Sequence, residues 1–279
     1  MDIGVTAFVT DRSLGPADLA EAVEERGYAS LYFPEHTHLP VAESAPPALV
    51  AGVSLEDYRR TLDPFVALAA AAARTERIRL GSGVSLVAQH DPVVLAKQVA
   101  TLDHVSAGRV VLGVGFGWNR QEASDHGVDF DRRREVAAEK LRCMQALWSS
   151  DVAEFHGTYV DLPPAYCWPK PVQRPRVRTL LGAAASPRTF AFVAELADGW
   201  MPIGGAGVGV AVAELRRALA DAGRDPATLQ VVPFGTVPDE GKLEHFRDIG
   251  VTEVVLRVPT GSRDQMLEAL DDYRRFLTT

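Results

Sequence analysis

A chain of 279 residues suits one closed α/β barrel, for which roughly 250 residues is usual, although two ordinary domains also fit by length. Hydrophobic residues at 47% and charged residues at 24% exclude a disordered majority. A formal net charge of −8 argues against nucleic acid and against an acidic membrane surface as partners, and it means that an anionic cofactor needs local help from backbone N–H groups or a few placed Arg and Lys.

In chain order, Ile3 to Phe8 reads as a short strand, and Pro16 to Arg26 as an amphipathic helix that Gly27 stops. Ser30 to Phe33 is the second strand. Asp63 caps a helix with Pro64 at its first position, continuing through Phe65 to Arg74. Ile78 to Leu86 is the third strand; Asp91-Pro92 starts a helix that runs to Ser106 and ends at Gly108. Arg109 to Gly115 is the fourth strand, and Arg132 to Trp148 a long helix. The second half repeats the rhythm. Its strands are Arg178 to Gly182, Trp200 to Ile203, Leu229 to Phe234 and Glu253 to Val258. Their following helices are Pro187 to Ala197, Val210 to Ala222, Lys242 to Ile249 and Arg263 to Leu277. Eight strand-then-helix units with apolar strands predict a parallel sheet with right-handed crossovers, and this length favours closure into a (β/α)8 TIM-type barrel over an open sheet. Two connections interrupt it as insertions after strands 2 and 4: Thr37 to Thr61, and the Pro-rich Asp151 to Arg176, both expected to be structureless binding loops. Pro40, Pro46, Pro47, Leu49 and Val50 suggest an apolar pocket wall in the first. No linker divides the chain, so a single domain over residues 1–279 is expected.

Cys143 and Cys167 have no C-x-x-C neighbour and read as reduced thiols. The opening Asp2-Ile3-Gly4-Val5 is not a signal peptide, and the longest apolar run, Phe65 to Ala73, is far short of the roughly 20 residues that span a bilayer. The expected location is the cytoplasm.

Barrel active sites are built where strands end. Glu35 and His36 follow the second strand, and a histidine there is a candidate for proton transfer near neutral pH; the alternative is a structural histidine. His38 is a weaker candidate. His90, His104, His126, His156 and His245 read as surface or packing residues. No pair has metal-ligand spacing, so no metal is expected. Gly81-Ser82-Gly83-Val84 marks either close approach of backbone to a ligand or a kink that fits barrel curvature. Gly113-Val114-Gly115-Phe116-Gly117 is not the dinucleotide fingerprint, but its glycines would let a flat ring lie on bare backbone; Trp118, Asn119 and Glu122 follow. Gly182-Ala183-Ala184-Ala185-Ser186 and Gly204-Gly205-Ala206-Gly207 precede helices, where free N–H groups make an anion cradle or where the loop is merely flexible.

Taken together, these segments resemble the luciferase-like monooxygenase family. The resemblance rests on Pro34-Glu35-His36, Ile78 to Val84, Pro92 to Gln98, Ser106 to Arg109 with Gly113 to Trp118, Phe155 to Tyr159, Lys170 to Pro175, and Ala197 to Trp200. It covers nearly the whole chain in order. It implies a (β/α)8 barrel that uses the deazaflavin coenzyme F420, or alternatively FMN. It further implies Glu35 and His36 near the ring, and a cis peptide at Gly83-Val84, next to Ser82, under the ring face. Gly115, Gly117 and Trp118 would form the fourth-strand turn, with Glu122 as a polar catalytic contact. The cofactor phosphate would lie on Gly182, Ala183, Ala184, Gly204 and Gly205; where some relatives carry a Lys after the last pair, this chain has Ala206. The expected activity is hydride transfer between coenzyme F420 and a small organic substrate, with His36 as proton donor or acceptor. The alternatives are an FMN-dependent monooxygenase using oxygen and a non-catalytic ligand-binding barrel. A homodimer and a separate reductase are the expected partners.

Overall fold

The computed structural model describes residues 1–41 and 53–277. Its strands are β1 (Asp2–Thr6), β2 (Ser30–Phe33), β3 (Arg79–Ser82), β4 (Val110–Gly115), β5 (Val152–His156), β6 (Asp161–Tyr166), β7 (Arg178–Gly182), β8 (Gly199–Trp200), β9 (Gln230–Val231), β10 (Phe234–Thr236) and β11 (Glu253–Arg257). All except β5 and β6 belong to one nine-stranded sheet in the order β10-β11-β1-β2-β3-β4-β7-β8-β9, and its pairs are parallel. The sheet curls. Its two ends, β9 and β10, are neighbours in the chain, separated only by Val232 and Pro233. The Val232 N–H donates to Trp200 O at 2.9 Å and the Val255 N–H to Pro233 O at 2.9 Å, so this stretch is bonded on both sides. Pro233 has no N–H to give, and the strand expected from Leu229 to Phe234 is therefore split around it.

The helices are α1 (Pro16–Glu25), α2 (Leu55–Arg60), α3 (Pro64–Ala72), α4 (Pro92–Val105), α5 (Arg120–Asp125), α6 (Arg133–Ser149), α7 (Pro187–Leu196), α8 (Val208–Asp221), α9 (Glu240–Asp248) and α10 (Arg263–Tyr273). Several start by the same device. Asp63, Asp91 and Ser186 each accept a backbone N–H from the first turn while a proline follows at the first helical position, where its missing donor costs nothing. Among the described residues, no helix is long and apolar enough to cross a membrane.

Apolar residues of the strands and helices form one large core between the two layers. A second, smaller core fills the inside of the curl: Tyr32, Val111, Leu180, Met201, Val232 and Val255, with Val84 and Phe234 packed on it. Beneath it, at the N-terminal ends of the strands, Glu253 is buried and takes Arg79 Nη2 at 3.0 Å and the Ser30 hydroxyl. That end is thus closed by a buried polar cluster, and the C-terminal end is left for a site.

Several expectations need correction. The segment from Asp151 to Arg176 is not structureless: β5 and β6 pair as an antiparallel hairpin, and Glu139 of α6 holds its turn by accepting the Tyr159 and Val160 N–H groups at 2.5 and 2.7 Å. The third strand stops at Ser82 instead of Leu86, and the strand expected from Trp200 to Ile203 keeps regular pairing only at Gly199–Trp200. Short helices α2 and α5 stand where loops were expected. Pro46, Pro47, Leu49 and Val50 lie outside the described residues.

Gly113 marks the tightest backbone approach in the curl, because a Cβ there would overlap the carbonyl oxygen of Ser82. Gly113→Ala is expected to lower stability by about 1–3 kcal/mol, the cost of overpacking a filled core, seen as a lower urea midpoint with an unchanged slope. An unchanged midpoint would contradict that approach.

Candidate active site

A cavity of about 290 Å³ opens where the sheet strands end. Its floor is the inner core. Val84 rises there from the end of β3, and its methyl groups occupy the space that a Cβ on Gly115 or Gly182 would need. Those two glycines therefore accommodate a side chain, and Gly182 also lines the cavity. Gly83 is bare for a similar reason, since the Phe234 ring fills its Cβ position. The Gly83-Val84 peptide bond is cis.

Glu35 and His36 both border the cavity but are bound differently. Glu35 is buried and saturated: it accepts the Ser85 hydroxyl at 2.9 Å, the Leu86 N–H at 2.5 Å and His90 Nε2 at 2.8 Å. It ties the end of β2 to the segment after β3. Burial alone would raise its pKa, but His90 and the two other donors outweigh that and hold the carboxyl below its ordinary value. His90 is thus a structural partner of Glu35 and not a surface histidine. Burial disfavours its charged form, yet the Glu35 carboxylate prevails and raises its pKa.

His36 is held by a second carboxylate. Glu122, at 0% exposure, takes His36 Nδ1 at 2.9 and 3.2 Å and the Thr37 N–H at 3.3 Å. Glu122 is placed by α5, whose first turn is capped by the Asn119 side chain accepting the Glu122 N–H at 2.9 Å. A carboxylate at Nδ1 requires the proton there and leaves Nε2 as the group that exchanges protons. Aromatic rings box the imidazole: Tyr58 lies 5.1 Å from it, Trp118 5.6 Å, and Phe8 stacks edge-on behind Tyr58 at 5.0 Å. Tyr58 comes from α2, inside the connection after the second strand.

The electrostatics oppose the chain's overall sign. Arg133, Arg134 and Arg257 line the cavity, whereas the carboxylate that lines it, Glu35, is committed to His90, and Glu122 behind its wall to His36. Arg133 stacks on Phe130 at 3.6 Å, and Arg134 on Phe116 at 4.5 Å. Burial pulls both guanidinium pKa values below the ordinary value, without discharging groups of such high basicity. The Ala183 and Ala184 N–H groups have no acceptor among the described residues, and the Trp118 indole N–H is buried without one. Unused donors beside cations suit an anionic group, so the donor set fits a phosphate-bearing flavin-type cofactor.

Of the residues expected at the site, Glu35, His36, Gly83, Val84, Gly117 and Trp118 reach the cavity, as do Gly182, Ala183 and Ala184. Glu122 stands directly behind His36. Ser82 is buried, donating to Gly113 O at 2.9 Å, and Gly115 packs under Val84. Gly204 and Gly205 lie off the cavity wall, in a left-handed turn before α8. Sequence reasoning missed Tyr58 and all three arginines. Arg133 and Arg134 carried a signal: cations in the first turn of a helix oppose its dipole and call for another purpose.

The Glu35–His90 pair gives a pH dependence with a definite sign. The raised His90 contributes stability that is full below its ordinary value of 6.5 and lost as pH rises through its folded value. The lowered Glu35 contributes stability above its ordinary 4.5 that is lost as pH falls. His90→Gln is therefore expected to destabilise more at about pH 6 than at about pH 9 in urea unfolding; an equal or reversed effect would refute the pairing.

Comparison with known proteins follows the same line. The luciferase-like monooxygenase family matches residues 16–238. An uncharacterized protein of Mycobacterium tuberculosis (strain ATCC 25618 / H37Rv) is 44% identical over 267 residues, covering 95% of this chain and 94% of that protein. In fold, the chain is similar to the monooxygenase RslO1 from Streptomyces bottropensis, with TM-score 0.80 at 21% identity over 99% of this chain and 98% of that one. It is also similar to an F420-dependent secondary alcohol dehydrogenase in complex with an F420-acetone adduct, with TM-score 0.77 at 17% identity over 98% and 97%. A family match over most of the chain and a shared curled parallel sheet lead to one conclusion: this chain belongs to the luciferase-like monooxygenase family and is an oxidoreductase.

Proposed function

We propose that the chain is a deazaflavin-dependent oxidoreductase that moves a hydride between coenzyme F420 and a small organic substrate. The observation that carries this reading is His36, clamped at Nδ1 by a fully buried carboxylate while its ring borders a cationic cavity. The nine strands are read as a (β/α)8 barrel in which β9 and β10 count as one strand broken at Val232-Pro233, with insertions after the second and fourth strands. A homodimer and a separate reductase belong to the same reading.

When bound, the cofactor supplies the hydride acceptor or donor. The chain's residues supply the rest. Arg133, Arg134 and the N–H groups of Ala183 and Ala184 would hold the cofactor's anionic part, and Val84, fixed between Gly115 and Gly182, would support its ring. Glu122 sets the His36 tautomer, and His36 Nε2 takes a proton from a substrate hydroxyl or returns one to a carbonyl oxygen. Tyr58 and Trp118 exclude water around that nitrogen. A second reading, an FMN-dependent monooxygenase, is favoured by the family's description and by the likeness to RslO1, and it uses nearly the same residues.

Parallel titrations with oxidised coenzyme F420 and with FMN, read by quenching of tryptophan fluorescence, are expected to show tight binding of the deazaflavin. Binding of FMN alone moves the reading to oxygen chemistry, to be measured as oxygen consumption with reduced FMN. His36→Asn is expected to lower kcat by roughly 10²–10⁴-fold with cofactor binding retained, the loss of one proton-transfer group. Unchanged turnover removes His36 from the chemistry.

A further inference from the structure

The cations of the cavity stand at two poles. Arg133 and Arg134, from the start of α6, join the cavity wall beside Gly117 and Ala183, past the ends of β4 and β7. Arg257 ends β11. In the sheet order β11 is followed by β1, β2, β3 and then β4, so Arg257 is four strands away from β4 around the curl. Its neighbours on the wall are Thr6 and Phe8 from the end of β1, His36 from the end of β2, and Tyr58. Tyr58 links the group: its ring lies 5.1 Å from His36 and 5.0 Å from Phe8, and it feels the charge of Arg257.

Arg257 differs from the other two arginines of the cavity, whose guanidinium groups stack on the rings of Phe130 and Phe116. Most arginines near a carboxylate are paired with it, as Arg26 is with Asp271 or Arg176 with Asp198. Among the described residues, no carboxylate lies within ion-pair distance of Arg257, and its guanidinium makes no hydrogen bond; its backbone oxygen accepts the Tyr273 hydroxyl at 3.1 Å. A guanidinium without a partner among the described residues, in a chain of net charge −8 and on the same wall as the Phe8 and Tyr58 rings, offers a fork of donors to a planar anion.

We infer that Arg257 anchors the substrate, and that the substrate is an organic acid with one carboxylate and an apolar body, gripped by Arg257 at one end and presented to His36 at the other. The inference deepens the reading of this cavity as a redox site, and it rests on that reading only in naming His36 as the reacting end. The unpaired guanidinium sets the charge class, Phe8, Tyr58 and Ile203 set the apolar body, and the opposite pole at Arg133 and Arg134 is left for the cofactor.

The test is calorimetric titration of the full chain, without cofactor, with two carboxylates and their neutral amides: benzoate against benzamide, and hexanoate against hexanamide. The acids are expected to bind at least about tenfold more tightly than the amides, a difference of about 1.4 kcal/mol. Arg257→Gln should abolish that preference and Arg257→Lys should retain part of it, with thermal unfolding confirming that both variants are folded. Equal binding of acids and amides by the wild-type chain, absence of binding by either acid, or a preference that survives Arg257→Gln overturns the inference. So does a loss that follows Arg134→Gln instead. Because no cofactor is present, failure of the deazaflavin reading leaves this result untouched, and loss of the acid preference leaves cofactor binding untouched.

Discussion

The closeness with which the end of β3 packs against β4 and β7 sets the form of everything above it. Gly113 lets the Ser82 carbonyl approach, and Gly115 and Gly182 leave a slot that the Val84 methyl groups fill. Side chains on these positions would push β3 outward, and a filled interior transmits such a shift because it has no slack. Val84 is thereby presented at one height in the cavity floor, next to Phe234 and above Met201. The strand ends around it then fix where Glu35, His36 and Trp118 emerge.

Two buried carboxylates organise that rim in parallel ways. Glu35 gathers three donors from the segment after β3, and Glu122 gathers His36 and the Thr37 N–H from the segment after β2. A carboxylate removed from water is stable only when its lone pairs are met, so each one selects a single arrangement of the loops it joins. One of them holds the imidazole of His36, a residue that lines the cavity. The same device holds a histidine at each place, His90 by Glu35 and His36 by Glu122. The positive balance of the cavity follows, since neither carboxylate is free to neutralise the arginines.

The alternation of strands and helices was readable because its determinants are local. Asp63-Pro64, Asp91-Pro92 and Ser186-Pro187 start helices at positions that match the structure closely. His36 could be singled out for a similar reason, since it stands just past the end of a short, wholly buried strand. Elements of weaker local character escaped. The β5–β6 hairpin is held by Glu139, which lies on a different element, and nothing within residues 151–176 announces that support. The split between β9 and β10 depends on which neighbour each half bonds to, although Pro233 marks the place.

By itself, the sequence determined the order of elements, the helix starts, and the presence of glycines, a histidine and acidic residues at strand ends. These follow from chain-local preferences: proline geometry, capping and apolar periodicity. Only the tertiary structure decided what those residues do. It assigned Glu122 to His36 across 86 positions, Glu35 to His90 across 55, and the Cβ spaces of the glycines to Val84 and Phe234. It also brought arginines from α6 and the end of β11 into one cavity. The physical reason is that curling a parallel sheet gathers the ends of strands far apart in the chain, and the pairing of buried charges is settled only when those ends meet.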